Sequence, residues 1–355
     1  MKFLFLLISL VNIIIFASAQ DTVKVDKTFK PYGKILLQVF GFSKFDITKD
    51  AQQTVNFGCS RAQIGYNYEF TKQLSAKVAF DIGAPTTVGQ IIVKDSAGRI
   101  LNVENKSSEG AYNTPYLKLA NIQWKPSEKF ILQLGGILQN HYMTQENFWA
   151  YRYIFKTFQD QYYGTASTDF GIIAFYNIND KIGIDAAITN GEGIRIKQDK
   201  FGKVKYAGGI NFKPSKDFII RLYYDNLASG DAVRKATQNL YSAFIAYRFK
   251  NYFRVGFDYN YCMNFANYNN NDLFGYSAFA TYIINSKFEV LCRYDNIMKG
   301  ESQNFKYSNV GDTYVLGMQY QPANIVKFSF NYQRFKPVVS NDNINYIMFN
   351  TELKL

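Results

Sequence analysis

Apolar and polar residues alternate strictly over two neighbouring segments of the chain. From residue 61 to residue 70 the even positions are all apolar or aromatic and the odd positions are polar or glycine. After the polar residues Thr71, Lys72 and Gln73, the alternation resumes from Leu74 to Gly83. A period of two places successive side chains on opposite faces of an extended chain. The two segments therefore predict an antiparallel hairpin with one apolar and one polar face.

The same alternation recurs to the end of the chain and predicts sixteen strands. The predicted strands are 33–42, 58–70, 74–83, 116–125, 129–137, 167–177, 182–190, 203–213, 218–226, 239–249, 252–261, 274–284, 287–295, 312–321, 325–334 and 345–355. Short turns alternate with longer loops between them. An even number of strands with this asymmetry is typical of transmembrane barrels with short periplasmic turns and long extracellular loops.

The pattern therefore predicts an all-β protein, a transmembrane antiparallel up-and-down β-barrel with periplasmic termini. Its apolar face contacts lipid, its polar face contacts water, and aromatic residues at the strand ends form a girdle at the membrane interface. The alternative is a soluble β-sandwich or propeller in which the same aromatic residues form a core. An apolar outer face on sixteen successive strands favours the membrane barrel.

Two loops are long enough to have their own structure. The loop 84–115 contains two short β-rich runs around Asp95–Gly98, which predicts an extracellular hairpin. The loop 138–166 is rich in aromatic residues, and a loop of this length is usually functional or disordered. It either folds into the barrel and narrows the lumen or caps the neighbouring loops from outside.

The N-terminus has the pattern of a secretory signal. Lys2 precedes an apolar run from Phe3 to Phe16, and the small residues Ala17, Ser18 and Ala19 follow. The run is too short to span a bilayer as a helix, which disfavours the alternative of a membrane anchor. We expect residues 1–19 to be a signal peptide and residues 20–355 to form the barrel.

Charge and reactive residues narrow the possible functions. The net charge is +12, but the export signal and the absence of basic runs disfavour a nucleic-acid-binding protein. The positive charge instead favours a basic lumen or a contact with anionic lipid. The three cysteines are too few for a disulfide scaffold, and we expect them to be unpaired. His141 is the one histidine and has no assignable catalytic partner. We expect no enzymatic activity, no cofactor and no metal.

The inward face of the predicted strands carries both signs of charge. The candidate pore-lining cations are Arg61, Lys77, Arg221, Arg248, Arg254, Arg293 and Lys327, and the candidate residues of a constriction loop are His141, Arg152 and Lys156. Lys205 and nine acids share the inward face: Glu69, Asp81, Asp169, Asp185, Asp225, Asp258, Glu289, Asp295 and Glu352. Charged walls of an aqueous lumen select permeants electrostatically. Alternatively, the charges pair across strands and only solvate the wall.

Several short segments resemble one known family. They are the run 61–80, the hairpin start 120–127, the strand end 190–193 and the triplet 293–295. Together they are similar to the phosphate-selective porin O and P family of Gram-negative outer membranes. The resemblance implies a trimeric sixteen-stranded porin whose third loop folds into the lumen and whose pore carries arginines and a lysine cluster for anions. In this chain the inward arginines alternate with acids, and the 138–166 loop has no matching lysine cluster.

The sequence thus predicts an outer-membrane porin for passive diffusion of small hydrophilic solutes, with a weak preference for anionic solutes. Its expected partners are outer-membrane lipid, lipopolysaccharide and, through the resemblance, two further copies in a homotrimer. The alternative function is a barrel that anchors or scaffolds partner proteins and whose lumen is plugged by its loops.

Overall fold

The computed structural model describes residues 29–83, 93–101, 113–198, 200–230, 234–250, 252–300, 309–338 and 343–355. The predicted signal peptide lies outside these ranges. Sixteen antiparallel strands form a closed barrel in which each strand pairs with its neighbours in the chain and the last pairs with the first. Two further short strands, β4 and β5, form a separate hairpin. The predicted fold class is confirmed.

The strands have the following bounds. They are β1 Tyr32–Asp46, β2 Val55–Glu69, β3 Leu74–Gly83, β4 Val93–Lys94, β5 Ile100–Leu101, β6 Thr114–Ser127, β7 Phe130–Leu138, β8 Thr168–Asn177, β9 Ile182–Thr189, β10 Lys205–Ser215, β11 Phe218–Leu227, β12 Gln238–Phe249, β13 Phe253–Met263, β14 Leu273–Ile283, β15 Phe288–Lys299, β16 Gly311–Ala323, β17 Val326–Pro337 and β18 Ile344–Lys354. A single-turn 3-10 helix spans Phe265–Asn267.

The alternation places apolar side chains on the outside of the barrel. Ile64, Leu316 and Phe330 expose 58%, 57% and 56% of their surface there. At the rim that carries the short turns, aromatic side chains pair across strands, and the rings of Phe288 and Tyr320 are 4.7 Å apart. An apolar band bordered by aromatic residues is the surface that a barrel presents to lipid.

The two ends of the barrel differ, as the loop lengths predict. Short turns join β2 to β3 and β6 to β7 at one end, which we call the short-turn rim, and both barrel termini, Tyr32 and Lys354, lie there. The opposite end is the long-loop rim. None of the helices in the described residues is long and apolar enough to span a membrane. Cys59, Cys262 and Cys292 are all free, as predicted.

The segment between β7 and β8, residues 139–167, folds into the barrel, and we call it loop 3. It contains two helices, α1 Asn140–Trp149 and α2 Phe158–Tyr162. Its aromatic side chains form two buried clusters with inward-facing apolar residues of the wall. Of the two arrangements that the sequence left open, the structure shows the inward one.

Each of the two strands that pair with β3, namely β2 and β6, carries a β-bulge. Between β1 and β2 the register shifts so that Ser60 is extra, and between β3 and β6 it shifts so that Lys118 is extra. An extra residue reverses the in-out alternation beyond it. Counting alternation along β6 without the bulge places Lys118 outside, whereas in the structure Lys118 is buried inside and bonds to Ser167 of loop 3.

Candidate functional site

Loop 3 covers one side of the lumen. Trp149, Tyr151, Tyr153 and Ile154 pack on the inner faces of β1 and of β11 to β16, and α2 packs on β7 to β15. Hydroxyl groups reinforce this packing: Tyr153 donates a hydrogen bond of 2.9 Å to Gln319 on β16. The lumen beside β8 to β16 is therefore filled by protein.

The opposite side of the lumen remains open. A cavity of about 220 Å³ lies toward the short-turn rim, and one of about 500 Å³ lies toward the long-loop rim. We call them the lower and the upper cavity. Their walls come from β1, β2, β3, β6, β18, the end of β7, the loop after β9 and the facing side of loop 3. Arg61 and Lys118 line both cavities, so the two cavities adjoin at these cations, and we call the pair of cavities the passage.

Cations outnumber acids along the passage. Three carboxylate side chains line it: Asp81, Glu146 and Asp160. The cations that line it are Lys44, Arg61, Lys77, Lys118, Arg152, Lys156, Arg195 and Lys354. The described lining thus carries a positive excess, which attracts anions into a space with low-dielectric walls.

Arg61 is held in place on the wall by three contacts. Its Nη1 donates a hydrogen bond of 2.9 Å to Gln38, its Nε lies 3.4 Å from Asp81, and its guanidinium stacks over the Phe40 ring at 4.9 Å. Asp81 also accepts hydrogen bonds from the backbone of Ala62 and Ile82. Asp81 is thus shared among several donors, and Arg61 lines both cavities.

The facing side of loop 3 carries a compact charge cluster. Arg152 lies 3.1 Å from Glu146 and 2.7 Å from Asp160, and Lys156 lies 3.9 Å from the same aspartate. Burial raises the pKa of Glu146 above its ordinary value, while the Arg152 guanidinium opposes that shift. Lys156 remains half exposed at the upper cavity. Opposite charges thus largely balance on the loop side, and the positive excess lies on the wall.

Four of the predicted pore-lining cations lie behind loop 3. Arg221 forms a bidentate pair with Asp185 and donates to the backbone carbonyl of Asn140 in loop 3. Arg293 binds both oxygens of Asp295 at 2.8 Å and donates to the carbonyl of Lys156. These two arginines hold loop 3 on the wall, and neither lines the passage.

Arg254 and Lys327 make weaker contacts of the same kind. Arg254 lies over the ring of Tyr151 at 5.0 Å, with Glu289 3.6 Å away. Lys327 is 3.1 Å from Glu352 and 6.0 Å from the ring of Tyr153. Each of these two cations lies between an acidic side chain of the wall and an aromatic ring of loop 3.

The other predicted residues divide between the passage and the wall. Arg61, Lys77, Arg152 and Lys156 line the passage. Arg248 is exposed near the short-turn rim, 5.5 Å from the Phe148 ring. His141 is fully buried, and burial together with Lys205 and Arg221 holds its pKa well below the usual value. His141 is therefore neutral and adds no charge to loop 3.

Sequence reasoning missed four cations of the passage. The β-bulge places Lys118 on the opposite face from the one that simple alternation gives. Lys44 lies beyond the predicted first strand, 33–42, and Lys354 lies at the end of the last strand; neither is in the predicted inward set. Arg195 comes from the loop after β9, and its guanidinium stacks over Tyr116 at 4.8 Å. In the described part of the chain, no group of three or more His, Cys, Asp or Glu residues could hold a metal ion.

The comparisons with known proteins support the fold. No family model matches the chain, and no curated protein is significantly similar to it. Among solved structures it is similar to OprB of Pseudomonas putida, with a TM-score of 0.66, 10% identity and coverage of 91% of this chain and 94% of that one. The chain has the porin fold.

Two further solved structures are similar to this chain over nearly its whole length. An anion-selective porin from Comamonas acidovorans has a TM-score of 0.64 at 9% identity and covers 92% of this chain and 100% of its own. The outer-membrane channel DcaP of Acinetobacter baumannii has a TM-score of 0.63 at 8% identity, covering 93% of this chain and 99% of its own. At such identities the similarity concerns the fold, so the resemblance to the phosphate-selective family stays a prediction.

Proposed function

We propose that the protein is an outer-membrane porin through which small hydrophilic solutes diffuse passively, with a preference for anions. The observation that carries the proposal is the passage beside loop 3, with Arg61 and Lys118 where its two cavities meet. Sixteen-stranded barrels enclose an aqueous channel. The apolar exterior and the similarity to proteins described as outer-membrane channels and as an anion-selective porin support the proposal.

The proposed localisation is the outer membrane, reached by export with residues 1–19 as a signal peptide. In that orientation the short-turn rim faces the periplasm and the long-loop rim faces outward. We also propose a homotrimer, since one similar structure, OmpT of Vibrio cholerae, is described in a trimer form. The alternative of a plugged scaffold barrel requires a filled lumen, whereas cavities of about 220 and 500 Å³ remain beside loop 3.

Reversal potentials in asymmetric potassium chloride test the proposal, because they report the sign of the field in the lumen. We expect stepwise conductance in planar bilayers and a preference for chloride. Arg61→Gln should lower that preference by up to about fivefold, since a unit charge about 4 Å away in water contributes ~1 kcal/mol.

Arg248→Gln is the matched control for this measurement. It also removes an inward arginine, but one that does not line the passage, and a smaller change is expected. Absence of any conductance over repeated insertions would contradict the porin function. Equal effects of the two substitutions would contradict the assignment of selectivity to the passage.

A further inference from the structure

Lys118 lies where several cavities of the barrel meet. It lines the lower and the upper cavity and also a cavity of about 400 Å³ at the long-loop rim, which we call the outer cavity. Lys118 is only 8% exposed, and it makes no ion pair with any described residue. The upper cavity has two described acids, Asp81 and Asp160, and each is already paired with an arginine. A buried ammonium is costly unless a negative charge compensates it, which indicates a binding position for an anion.

Two hydroxyl groups beside Lys118 complete a set of hydrogen-bond donors. The Lys118 Nζ donates to the Ser167 hydroxyl at 2.8 Å and to the Tyr116 hydroxyl at 3.4 Å. An ammonium has no acceptor, so both hydroxyls accept from it and keep their own protons for another partner. Neither hydroxyl donates to a described residue, and both line the upper and the outer cavity. One ammonium and two hydroxyls thus present donors to the same space, and a carboxylate accepts such hydrogen bonds strongly.

Another part of the wall of the upper cavity is apolar. Phe42, Phe155 and Met348 line it. Phe42 is half-buried, its ring lies against Gly58, and it belongs to neither of the two buried clusters that hold loop 3 on the wall. The interior of a porin barrel is polar. An aromatic ring that borders the open lumen without packing on loop 3 is therefore available to contact a solute.

The donors and the apolar side chain are within the span of one small organic molecule. Two strands, β2 and β3, separate Phe42 on β1 from Tyr116 on β6, which is roughly 14 Å along the wall. Both side chains line the upper cavity and shorten this span. The volume of that cavity, about 500 Å³, is within the range of sites that hold small organic ligands.

We propose that the upper cavity binds an organic monoanion in which a carboxylate is joined to an apolar body of the size of a phenyl ring. The carboxylate accepts hydrogen bonds from Lys118, Tyr116 and Ser167, and the apolar body lies against Phe42. A single ammonium with two hydroxyls matches the single charge of a carboxylate. The inference rests on the proposed porin function, for which it names a class of solute, but it concerns binding and not conduction.

Isothermal titration calorimetry of the detergent-solubilised barrel with phenylpropionate, acetate and phenylpropionamide tests the proposal without a membrane. We expect phenylpropionate to bind about tenfold more tightly than acetate, which lacks the apolar body. It should also bind about tenfold more tightly than phenylpropionamide, which lacks the charge. Inorganic phosphate, the fourth probe, should bind more weakly than phenylpropionate.

Substitutions at the two ends of the site separate its parts. Lys118→Gln should weaken phenylpropionate binding about tenfold. Tyr116→Phe keeps the charge and the ring, should weaken binding roughly fivefold, and tests the site even where Lys118→Gln does not fold. Phe42→Ala should weaken the binding of phenylpropionate and leave that of acetate unchanged. Lys44→Gln is the matched control, because it removes the same charge from the same cavity, where its Nζ lies over the Tyr346 ring, and a loss of less than about twofold is expected.

Four results would overturn the proposal. They are unchanged affinity in both Lys118→Gln and Tyr116→Phe, equally tight binding of phenylpropionamide, tighter binding of inorganic phosphate, and equal effects of Lys118→Gln and Lys44→Gln. Stepwise conductance in planar bilayers without phenylpropionate binding would overturn this inference and leave the porin function standing. Binding without any conductance would support the site and contradict the porin function.

Discussion

Arg61 and Arg293 carry the same charge and have the same inward parity, yet they act differently. Arg293 is buried between Trp149 and Phe155 and binds both oxygens of one aspartate, so its charge is neutralised where it lies. Arg61 shares its aspartate with two backbone donors and borders open space on both sides. The two arginines differ because loop 3 covers Arg293 and leaves Arg61 open to the passage. The alternation of apolar and polar residues does not predict where loop 3 lies.

The environment of another single residue, Glu146, predicts that ion selectivity depends on pH. Burial raises its pKa, so it gains a proton at a higher pH than an exposed glutamate does, and the passage then loses a negative charge. Anion preference should therefore increase as pH falls from 7 toward about 5. Reversal potentials measured across this range in the unmodified chain and in Glu146→Gln check the prediction.

Glu146→Gln should show a high anion preference throughout and a flatter pH profile. Glu128→Gln, in the turn between β6 and β7, is the control, since Glu128 does not line the passage and its removal should leave the profile unchanged. An identical slope in all three proteins would assign the pH dependence to other groups.

Among the elements, the strands were predictable and the bulges and loop 3 were not. A period of two is visible wherever one face contacts lipid, and every barrel strand overlaps a predicted one. A bulge adds a single residue without a distinctive composition, so counting alternation along β6 places Lys118 on the wrong face. The aromatic residues of loop 3 are equally compatible with packing inside or outside, because both arrangements bury them.

The stable position of loop 3 against the wall should depend on its buried hydroxyl groups. The Tyr162 hydroxyl lies 3.0 Å from Asp295 and 2.9 Å from Thr313 on the wall. Tyr162→Phe removes a hydrogen bond to a charged group, which contributes about 1.5–3 kcal/mol. We expect the same main conductance but more frequent brief current fluctuations, by roughly tenfold. Single-channel recordings at constant voltage measure this frequency.

Tyr142→Phe is the matched control for that change. It removes a hydroxyl from the same loop, at the lower cavity, where no hydrogen bond to a described residue holds it. Its fluctuations should equal those of the unmodified chain. Similar increases in both variants would indicate that loop 3 is held by packing of its rings and not by the hydroxyl of Tyr162.

On the scale of the whole molecule, conduction requires that the upper and lower cavities be continuous. Gln63 lines the lower cavity, and Ser60, the extra residue of the β2 bulge, is exposed at the upper one. In a background with Cys59 and Cys292 replaced by Ser, we expect a hydrophilic anionic thiol reagent to reduce the current through Gln63→Cys and through Ser60→Cys. Because the positive passage attracts the reagent, addition on either side of the membrane should modify both positions.

Met318→Cys is the control on the outer surface, where Met318 exposes 52% of its surface to the lipid side. The reagent is excluded from lipid, so this variant should keep its full current. If each lumen position reacts from one side only, loop 3 separates the two cavities, and the barrel is closed in the state that was measured. If both react from both sides, a single water-filled path runs past Arg61 and Lys118 from one rim to the other, which is the arrangement that passive diffusion requires.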